Sequence, residues 1–232
     1  MYEVRCPIYG FIKLSDWERE IINHSAFQRL RRIRQLAWTD YIYPGAMHTR
    51  FEHVLGVMHM ATTLYENIVE RSGDVLASEF GYTDGGFDRY RHLVRLAALL
   101  HDVGHAPFSH AAEELLPHDA QSGNRYKHEH YSAAIVRQCL ADVIETHPLN
   151  TNYRITAEEI AQFLEGDPDT GPGLFWRELI DGQLDADRMD SYVRLSSFSH
   201  DRAVRLRRVR CRCTWRDAHG WGQSTRRRWI TL

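Results

Sequence analysis

Apolar residues recur at intervals of three and four along most of the chain, which is the period of an amphipathic helix. The alternation typical of strands is weak. The predicted helices cover about 17–22, 27–36, 51–71, 90–101, 109–116, 129–145, 156–165 and 174–194. Two of them have a suitable capping residue: Ser15 precedes the first, and Thr156 is followed by Glu159 at the capping-box position. We therefore predict an all-α helical bundle.

The segment 90–101 is apolar on most sides, and such a helix belongs at the centre of a bundle. Gly104 and Pro107 break the pattern, so His101 and Asp102 fall at the C-terminal end of this helix. An ionised aspartate beside an imidazole at the end of a buried helix is costly to desolvate unless a positive group compensates. A metal ion would compensate, and hydrogen bonds to the following loop are the alternative.

Further histidine and aspartate residues that could bind the same metal ion lie far from this His-Asp pair in the sequence. His53 lies near the start of a long predicted helix, and three aspartates lie within 184–190 in the last one. Two imidazoles and two carboxylates form a mixed nitrogen and oxygen ligand set that suits a catalytic divalent metal. Carboxylates also bind hard ions, so the set leaves Mn, Fe, Mg and Zn open.

The composition is that of an ordinary soluble globular protein, with 232 residues, of which 43% are hydrophobic and 26% charged. No apolar run approaches the roughly 18 residues that a membrane span needs. The first residues lack the apolar stretch of a signal peptide. The four cysteines have no CxxC spacing and are predicted to be reduced thiols. We therefore expect a cytoplasmic enzyme without a membrane partner.

Charge is distributed unevenly along the chain. Residues 201–232 contain ten arginines and two aspartates, a net charge of +8, which leaves −10 for residues 1–200. A basic tail is typical of nucleic-acid binding, so a catalytically impaired nucleotide- or nucleic-acid-binding remnant is one alternative. However, the tail lacks apolar periodicity, and 27 arginines against two lysines indicate a GC-rich gene, in which shifted reading frames are rich in arginine.

We therefore expect residues 196–232 to be disordered or an out-of-frame translation, and nucleic acid not to be a partner. Resequencing the gene tests this hypothesis, because an intact frame that encodes these residues in related strains would refute it. Residues 1–195 would then form one domain that is incomplete at its C-terminal side.

Several passages of the chain resemble, in order, the motifs of HD-domain metal phosphohydrolases. These passages are 27–31, 35–36, 41–46, 48–53, 100–110, 128–129 and 185–190. They are most similar to the deoxynucleoside triphosphate triphosphohydrolases of the dGTPase and SAM-and-HD-domain type. The resemblance covers about residues 5–190 and implies an HD-domain helical bundle with a metal site between helices. It also implies hydrolysis of a dNTP to a deoxynucleoside and inorganic triphosphate, and a homo-oligomer in full-length relatives.

The resemblance implies roles for individual residues, which fall into three sets. The ligands of one divalent metal would be His53, His101, Asp102 and Asp187. The catalytic residues would be His105, His110, His128 and Glu113. The substrate-binding residues would be Arg50, Gln35, Leu36 and Tyr192. Within these sets, His128 is expected to be the general acid for the leaving sugar oxygen and His110 an α-phosphate contact, whereas the forked guanidinium of Arg50 suits a phosphate.

The chain departs from the family pattern after Asp190, where the family has a tyrosine and then an Arg-Asp pair near the sugar. Here Tyr192 is offset by one residue and Leu195 replaces the carboxylate, so we expect an incomplete nucleotide pocket. Other HD phosphohydrolases, which act on nucleoside monophosphates, cyclic nucleotides or (p)ppGpp, share the ligand set and are the closest alternative. Gln28 and Arg31 match positions that bind a regulatory nucleotide in relatives, although we favour a solvated helix face for them.

Overall fold

The computed structural model describes residues 2–108, 110–119, 123–166 and 173–198. The side chains of His110 and Phe198 also lie outside this description. The predicted domain boundary after residue 195 falls within the last described helix, and residues 199–232 of the arginine-rich tail lie outside the described part. The division into a domain and a tail therefore stays a prediction.

The described chain is built almost entirely of helices, with short 3-10 and π-helical turns between some of them. The strands are β1 (Tyr2–Cys6) and β2 (Gly10–Leu14). The helices are α1 (Asp16–Asn23), α2 (Ser25–Gln28), α3 (Arg50–Phe80), α4 (Asp84–Leu100), α5 (His110–Glu113), α6 (His128–Ile135), α7 (Ala141–Glu145), α8 (Asn150–Tyr153), α9 (Ala157–Glu165), α10 (Gly173–Arg177) and α11 (Ala186–Phe198). The 3-10 helices are Arg29–Arg32 and Thr39–Tyr41, and the π-helical turn is Val136–Leu140.

The helical fold class predicted from the sequence is confirmed, with one small addition. β1 and β2 form an antiparallel hairpin in which Tyr2 pairs with Leu14 and Cys6 with Gly10. Gly10 adopts φ +75°, a left-handed conformation that glycine tolerates without cost. Ile12 and Leu14 are buried in the helical core, so the hairpin is held by packing of one face of β2.

Helices α3 and α4 pack along each other and form the centre of the bundle. The last turns of α4 are buried from Leu93 to Leu100, as the pattern of 90–101 predicted. Helix α3 is longer than expected and runs past Gly73 to Phe80. A glycine in a helix interior costs only about 1 kcal/mol, which tertiary packing overcomes. Helix α3 ends instead at Gly81, whose φ of +69° forms a left-handed C-cap.

Three predicted helices are interrupted in the structure. The predicted helix 27–36 leaves helical geometry at Ile33, because the backbone of Gln35 donates to the carbonyl of His48 and pairs this segment with the chain entering α3. The predicted helix 129–145 contains the π-helical turn between α6 and α7. The predicted helix 174–194 is two helices, α10 and α11, separated by a turn at Gly182.

Both predicted caps are present, with one difference in detail. The hydroxyl of Ser15 accepts from the backbone N–H of Glu18 at 3.2 Å, and the Glu18 carboxylate accepts from the N–H of Ser15 at 2.8 Å. The hydroxyl of Thr156 accepts from the N–H of Glu159 at 3.0 Å. The carboxylate of Glu159 is instead bound by the guanidinium of Arg89 at 2.8 and 2.6 Å. In the part of the chain that the structure describes, no helix has the length and apolar character to cross a membrane.

Candidate metal centre

The start of α3 and the end of α4 bring three of the four predicted metal ligands together. Ligand atoms of His53, His101 and Asp102 all lie within 4.8 Å of one another, and all three residues are buried. Nε2 of His53 is 3.7 Å from Oδ2 of Asp102, and Nε2 of His101 is 3.5 Å from Oδ1 of the same carboxylate. His53 and His101 are 48 residues apart in the sequence, and both present a ring nitrogen to the carboxylate of Asp102.

The fourth predicted ligand, Asp187, lies in the first turn of α11 beside His53. Its Oδ1 is 2.9 Å from Nε2 of His53, and 41% of its side chain is exposed. Two atoms bound at about 2.1 Å to the same ion at right angles are about 3 Å apart. The spacing of Asp187 and His53 matches that value, and Asp187 lies on the side of the cluster that is open to solvent.

Both imidazoles leave one nitrogen for a cation. Nδ1 of His101 lies 2.7 Å from the carbonyl of Ala98, and Nδ1 of His53 lies 2.7 Å from Oδ2 of Asp190. A carbonyl only accepts, so Nδ1 of His101 carries the proton and Nε2 the lone pair. Among the described residues, the buried Nε2 of His101 makes no hydrogen bond, and the buried Nε2 of His53 faces Oδ1 of Asp187 at 2.9 Å. Ligating histidines commonly bond the other ring nitrogen to a carboxylate or carbonyl, so these residues fit a divalent metal.

The electrostatics of the cluster suit a cation. Burial alone would raise the pKa of Asp102, but His101 and Arg50 outweigh it and hold that pKa well below its usual range. Burial would likewise lower the pKa of His53, yet its contacts with Asp187 and Asp190 raise that pKa to about 9. The surroundings that attract a proton to His53 also attract a metal ion, which competes with the proton for the imidazole.

The predicted catalytic histidines lie next to this cluster. Nε2 of His105 is 3.3 Å from Oδ1 of Asp102, and Nε2 of His128 is 4.0 Å from the same oxygen. The rings of His105 and His128 stack with centroids 3.8 Å apart. Nδ1 of His128 lies 2.6 Å from Oε1 of Glu113, and burial lowers the pKa of His105 to about 4. His105 is therefore neutral at neutral pH.

The predicted role of His110 falls outside the described side chains. Its backbone begins α5, the short helix that also carries Glu113, but nothing is described of its imidazole. The expected contact with an α-phosphate therefore stays a prediction.

The predicted substrate-binding residues occupy different surroundings. Arg50 is 2% exposed, and its guanidinium forms an ion pair with Oδ2 of Asp102. Gln35 and Leu36 lie in the loop that leads towards α3, where the N–H of Gln35 bonds the carbonyl of His48 at 3.1 Å. Tyr192 is 62% exposed on α11. Five residues after Asp187, it is turned about 140° around the helix from that ligand.

Gln28 and Arg31, which match regulatory positions of relatives, contact neighbouring residues of this chain. Nε of Arg31 donates to Oε1 of Gln28 at 2.8 Å, and the Arg31 guanidinium lies 3.4 Å from the ring centre of Phe51. The amide of Gln28 donates to the carbonyl of Ile22 at 2.7 Å. Whether this pair forms a solvated helix face or binds a nucleotide stays a prediction.

Sequence reasoning gave no role to several residues that support the cluster. Asp190 and Arg194 follow Asp187 on α11 at intervals of three and seven residues, and both are buried. Polar residues at that spacing share one helix face, a signal that was available in the sequence. Arg29 donates to the carbonyls of Val103 and His105, both at 2.6 Å, and so holds the loop after the His-Asp pair. No local pattern indicates that contact.

Comparisons with known proteins agree with this geometry. The model of the HD domain family matches residues 50–195. The deoxynucleoside triphosphate triphosphohydrolase SAMHD1 of Mus musculus is 35% identical over 159 residues, which cover 68% of this chain and 23% of that protein. An uncharacterized protein of Mycoplasma pneumoniae (MG461 homolog) is 32% identical over 200 residues, which cover 83% of this chain and 42% of the relative.

A solved structure is similar as well. The crystal structure of a hypothetical protein from Aquifex aeolicus superposes with a TM-score of 0.63 at 29% identity, covering 85% of this chain and 46% of that one. The chain spans less than half the length of each of these relatives. The family model covers more than half of the chain and contains all four predicted ligands. The chain therefore belongs to the HD domain family, within the HD phosphohydrolase superfamily.

Proposed function

We propose that this chain is a metal-dependent phosphohydrolase that converts a dNTP and water into a deoxynucleoside and inorganic triphosphate. The observation that carries the proposal is the convergence of two buried imidazole nitrogens, Nε2 of His53 and Nε2 of His101, on the carboxylate of Asp102. The substrate is inferred from the relative that is 35% identical and is named a deoxynucleoside triphosphate triphosphohydrolase.

Four residues would hold the metal: His53, His101, Asp102 and Asp187. When bound, a divalent ion lowers the pKa of a coordinated water and neutralises phosphate oxygens. The mixed nitrogen and oxygen ligand set does not distinguish among Mn, Fe, Mg and Zn. The exposed edge of Asp187 provides the side from which phosphate approaches.

Arg50 and His105 would bind the phosphates. Both contact Asp102, so both lie beside the proposed ion. A guanidinium binds phosphate oxygens through two parallel N–H groups. The neutral imidazole of His105 lies against Asp102 and would add a polar contact without adding charge. His110 remains our proposed contact of the α-phosphate, while Gln35, Leu36 and Tyr192 remain proposed contacts of the nucleoside.

His128 would supply the proton for the leaving group. Its Nδ1 is held by Glu113 at 2.6 Å, so Nε2 is directed to the Asp102 side of the site. The oxygen of water would bond to the α-phosphorus as the bond from that phosphorus to the 5′ oxygen of the sugar breaks, and Nε2 would donate its proton to the departing oxygen. The water would release one proton to solvent, and solvent would return one to His128 for the next turnover. General acid catalysis of this kind contributes about 10²–10⁴-fold.

Product analysis tests the proposal. Purified protein is incubated with each dNTP and Mn²⁺, Mg²⁺ or Fe²⁺, and the products are separated by chromatography. We expect a deoxynucleoside and triphosphate. Monophosphate with pyrophosphate, or no turnover of any dNTP, would contradict the proposed substrate; cleavage of a nucleoside monophosphate, a cyclic nucleotide or (p)ppGpp would instead identify the other phosphohydrolase class.

Two variants provide the control for this assay. His101→Ala should abolish turnover, because it removes a proposed ligand. His118→Ala, an exposed histidine outside the cluster, should leave turnover unchanged. The cytoplasmic location and the homo-oligomeric state remain predictions that this assay does not address.

A further inference from the structure

We propose that Asp190, Tyr9 and Arg194 form a positioning network that fixes the ring of His53 for metal binding and so couples the N-terminal hairpin to the metal centre. This inference rests on the proposed metal site and is independent of the substrate. None of the three residues is proposed to touch the metal or the substrate.

The network centres on the fully buried carboxylate of Asp190. Its Oδ2 lies 2.7 Å from Nδ1 of His53, and its side chain is 0% exposed. A carboxylate at this position keeps the proton of the imidazole on Nδ1 and leaves the lone pair on Nε2, where the metal would bind. It also fixes the rotation of the ring about the Cβ–Cγ bond, which decides where Nε2 points.

The hairpin contributes the second hydrogen bond to this carboxylate. Tyr9 lies in the turn between β1 and β2, and its hydroxyl donates to Oδ1 of Asp190 at 2.8 Å. The hairpin is anchored to the bundle, because Ile12 and Leu14 are buried and the guanidinium of Arg95 donates to the carbonyl of Lys13 at 3.0 Å. The hydroxyl of Tyr9 is therefore delivered by a fixed element, 181 residues away in sequence from its acceptor.

Arg194 compensates the buried charge and ties two helices together. Its Nε donates to Oδ2 of Asp190 at 2.6 Å, and its Nη2 donates to the backbone carbonyl of Glu52 at 2.6 Å. Glu52 immediately precedes His53 in α3. One arginine thus fixes both the carboxylate that orients the imidazole and the backbone from which the imidazole projects.

The face of α3 next to His53 leaves room for Asp190 and Arg194, because Gly56 has no side chain. A Cβ atom on Gly56 would lie 1.9 Å from Oδ1 of Asp190 and 2.6 Å from Nη2 of Arg194. The absence of a side chain one turn after His53 lets α11 bring the carboxylate within reach of Nδ1. Both oxygens of Asp190 are then engaged, Oδ1 by Tyr9 and Oδ2 by His53 and Arg194, which suits a positioning residue and not a metal ligand.

Metal affinity of matched variants tests the network. Tyr9→Phe removes only the hydroxyl, and Asp190→Asn keeps the shape of the side chain. The control, Tyr65→Phe, loses a comparable contact about three helical turns along α3 from His53. It removes a hydroxyl that donates to the carbonyl of Phe87 at 2.6 Å. Mn²⁺ affinity is measured by calorimetry, and the visible absorption of bound Co²⁺ reports the ligand geometry.

We expect Tyr9→Phe to lower Mn²⁺ affinity about 10-fold and Asp190→Asn about 10- to 100-fold, with an altered Co²⁺ spectrum in both. The control should lower the thermal midpoint, leave Mn²⁺ affinity within about twofold and leave the Co²⁺ spectrum unchanged, since distant sites behave independently. If Tyr9→Phe behaves like Tyr65→Phe in affinity and spectrum, the inference is overturned, and this holds even if Asp190→Asn fails to fold.

The outcome of the metal-affinity measurements can be distinguished from the outcome of the substrate assay. A parent protein that binds Mn²⁺ and responds to Tyr9→Phe, yet hydrolyses no dNTP, would support the network and contradict the proposed substrate. A parent protein that binds no Mn²⁺ would overturn both.

Discussion

Arg50 and Asp102 form a buried ion pair that joins the first turn of α3 to the end of α4. The side chains are 3% and 4% exposed, so neither charge is solvated by bulk water. The pair neutralises a carboxylate that would otherwise be held in the interior at high cost. Arg50 is consequently placed beside the proposed ion before any phosphate arrives.

Replacing Arg50 should separate substrate binding from metal binding. We expect Arg50→Gln to lower kcat/KM for the dNTP by about 100-fold or more, because a charged fork at the phosphates is lost. Mn²⁺ affinity should not fall, since Asp102 loses a competing cation. Steady-state kinetics and calorimetry measure the two quantities, and Arg91→Gln, which alters an exposed pair with Glu66, is the control. If Mn²⁺ affinity and kcat/KM fell together, the assignment of Arg50 to phosphate binding would be contradicted.

The two proposed carboxylate ligands should respond differently to neutralisation. Asp187 is 41% exposed, whereas Asp102 is 4% exposed and neutralises Arg50. We expect Asp187→Asn to lower Mn²⁺ affinity about 10- to 100-fold and to change the free energy of unfolding of the metal-free protein by less than about 1 kcal/mol. Asp102→Asn should lower both quantities, because it leaves a buried guanidinium without its carboxylate. Unchanged Mn²⁺ affinity in Asp187→Asn would remove Asp187 from the ligand set.

Gly104 should not tolerate a side chain, because backbone atoms of α6 pack directly against it. A Cβ atom there would lie 2.2 Å from the backbone nitrogen of Ser132 and 2.5 Å from the carbonyl oxygen of His128. We expect Gly104→Ala to lower the free energy of unfolding by about 3 kcal/mol or more, because the loop would have to move away from α6. Urea titration measures the change.

Gly73 provides the matched control for this prediction. It lies inside α3, where a Cβ atom would meet only Val69, at 3.9 Å. Gly73→Ala should raise stability by about 0.5–1 kcal/mol through the better helix propensity of alanine. Equal stability of the two variants would show that the close approach at Gly104 is not maintained in solution.

The buried pair of Glu18 and Arg95 should make stability depend on acid pH. Burial would raise the pKa of Glu18, but hydrogen bonds from Arg95 outweigh it and lower that pKa below its ordinary value of 4.5. A carboxylate with a lowered folded-state pKa adds stability above its unfolded pKa, and this stability is lost as the pH falls through the folded value.

We expect Glu18→Gln to cost about 2 kcal/mol or more at pH 7. The difference from the parent protein should begin to shrink as the pH falls below 4.5, the ordinary pKa that applies in the unfolded chain. It should vanish below the lower folded-state pKa, where the parent carboxyl is also neutral. Urea titrations between pH 3 and pH 7 measure both effects. A difference that stays constant over this range would show that the charge of Glu18 contributes nothing.

Local patterns predicted the parts of the fold that local physics determines. The apolar run 90–101 and the break at Gly104 placed His101 and Asp102 at a helix end, and the structure has α4 ending at Leu100. Ser15 and Thr156 cap their helices as predicted, because capping involves only residues within one turn. The ordered motifs then indicated which histidines and carboxylates to bring together.

The features missed by the sequence depend on contacts between distant segments. The hairpin has two five-residue strands with only Ile12 and Leu14 buried in β2, too short an alternation to identify. The π-helical turn between α6 and α7 has no signature in its residues. The bonds of Asp190 to Tyr9 and His53 span 181 and 137 residues, so no local spacing contains both partners.

A crystal structure of the protein grown with Mn²⁺ tests the central claim most directly. Data collected at the manganese absorption edge locate the ion by its anomalous scattering. We predict one peak within about 2.0–2.3 Å of Nε2 of His53, Nε2 of His101 and carboxylate oxygens of Asp102 and Asp187. No peak at this position, or an ion bound elsewhere with these four side chains out of reach, would contradict the account.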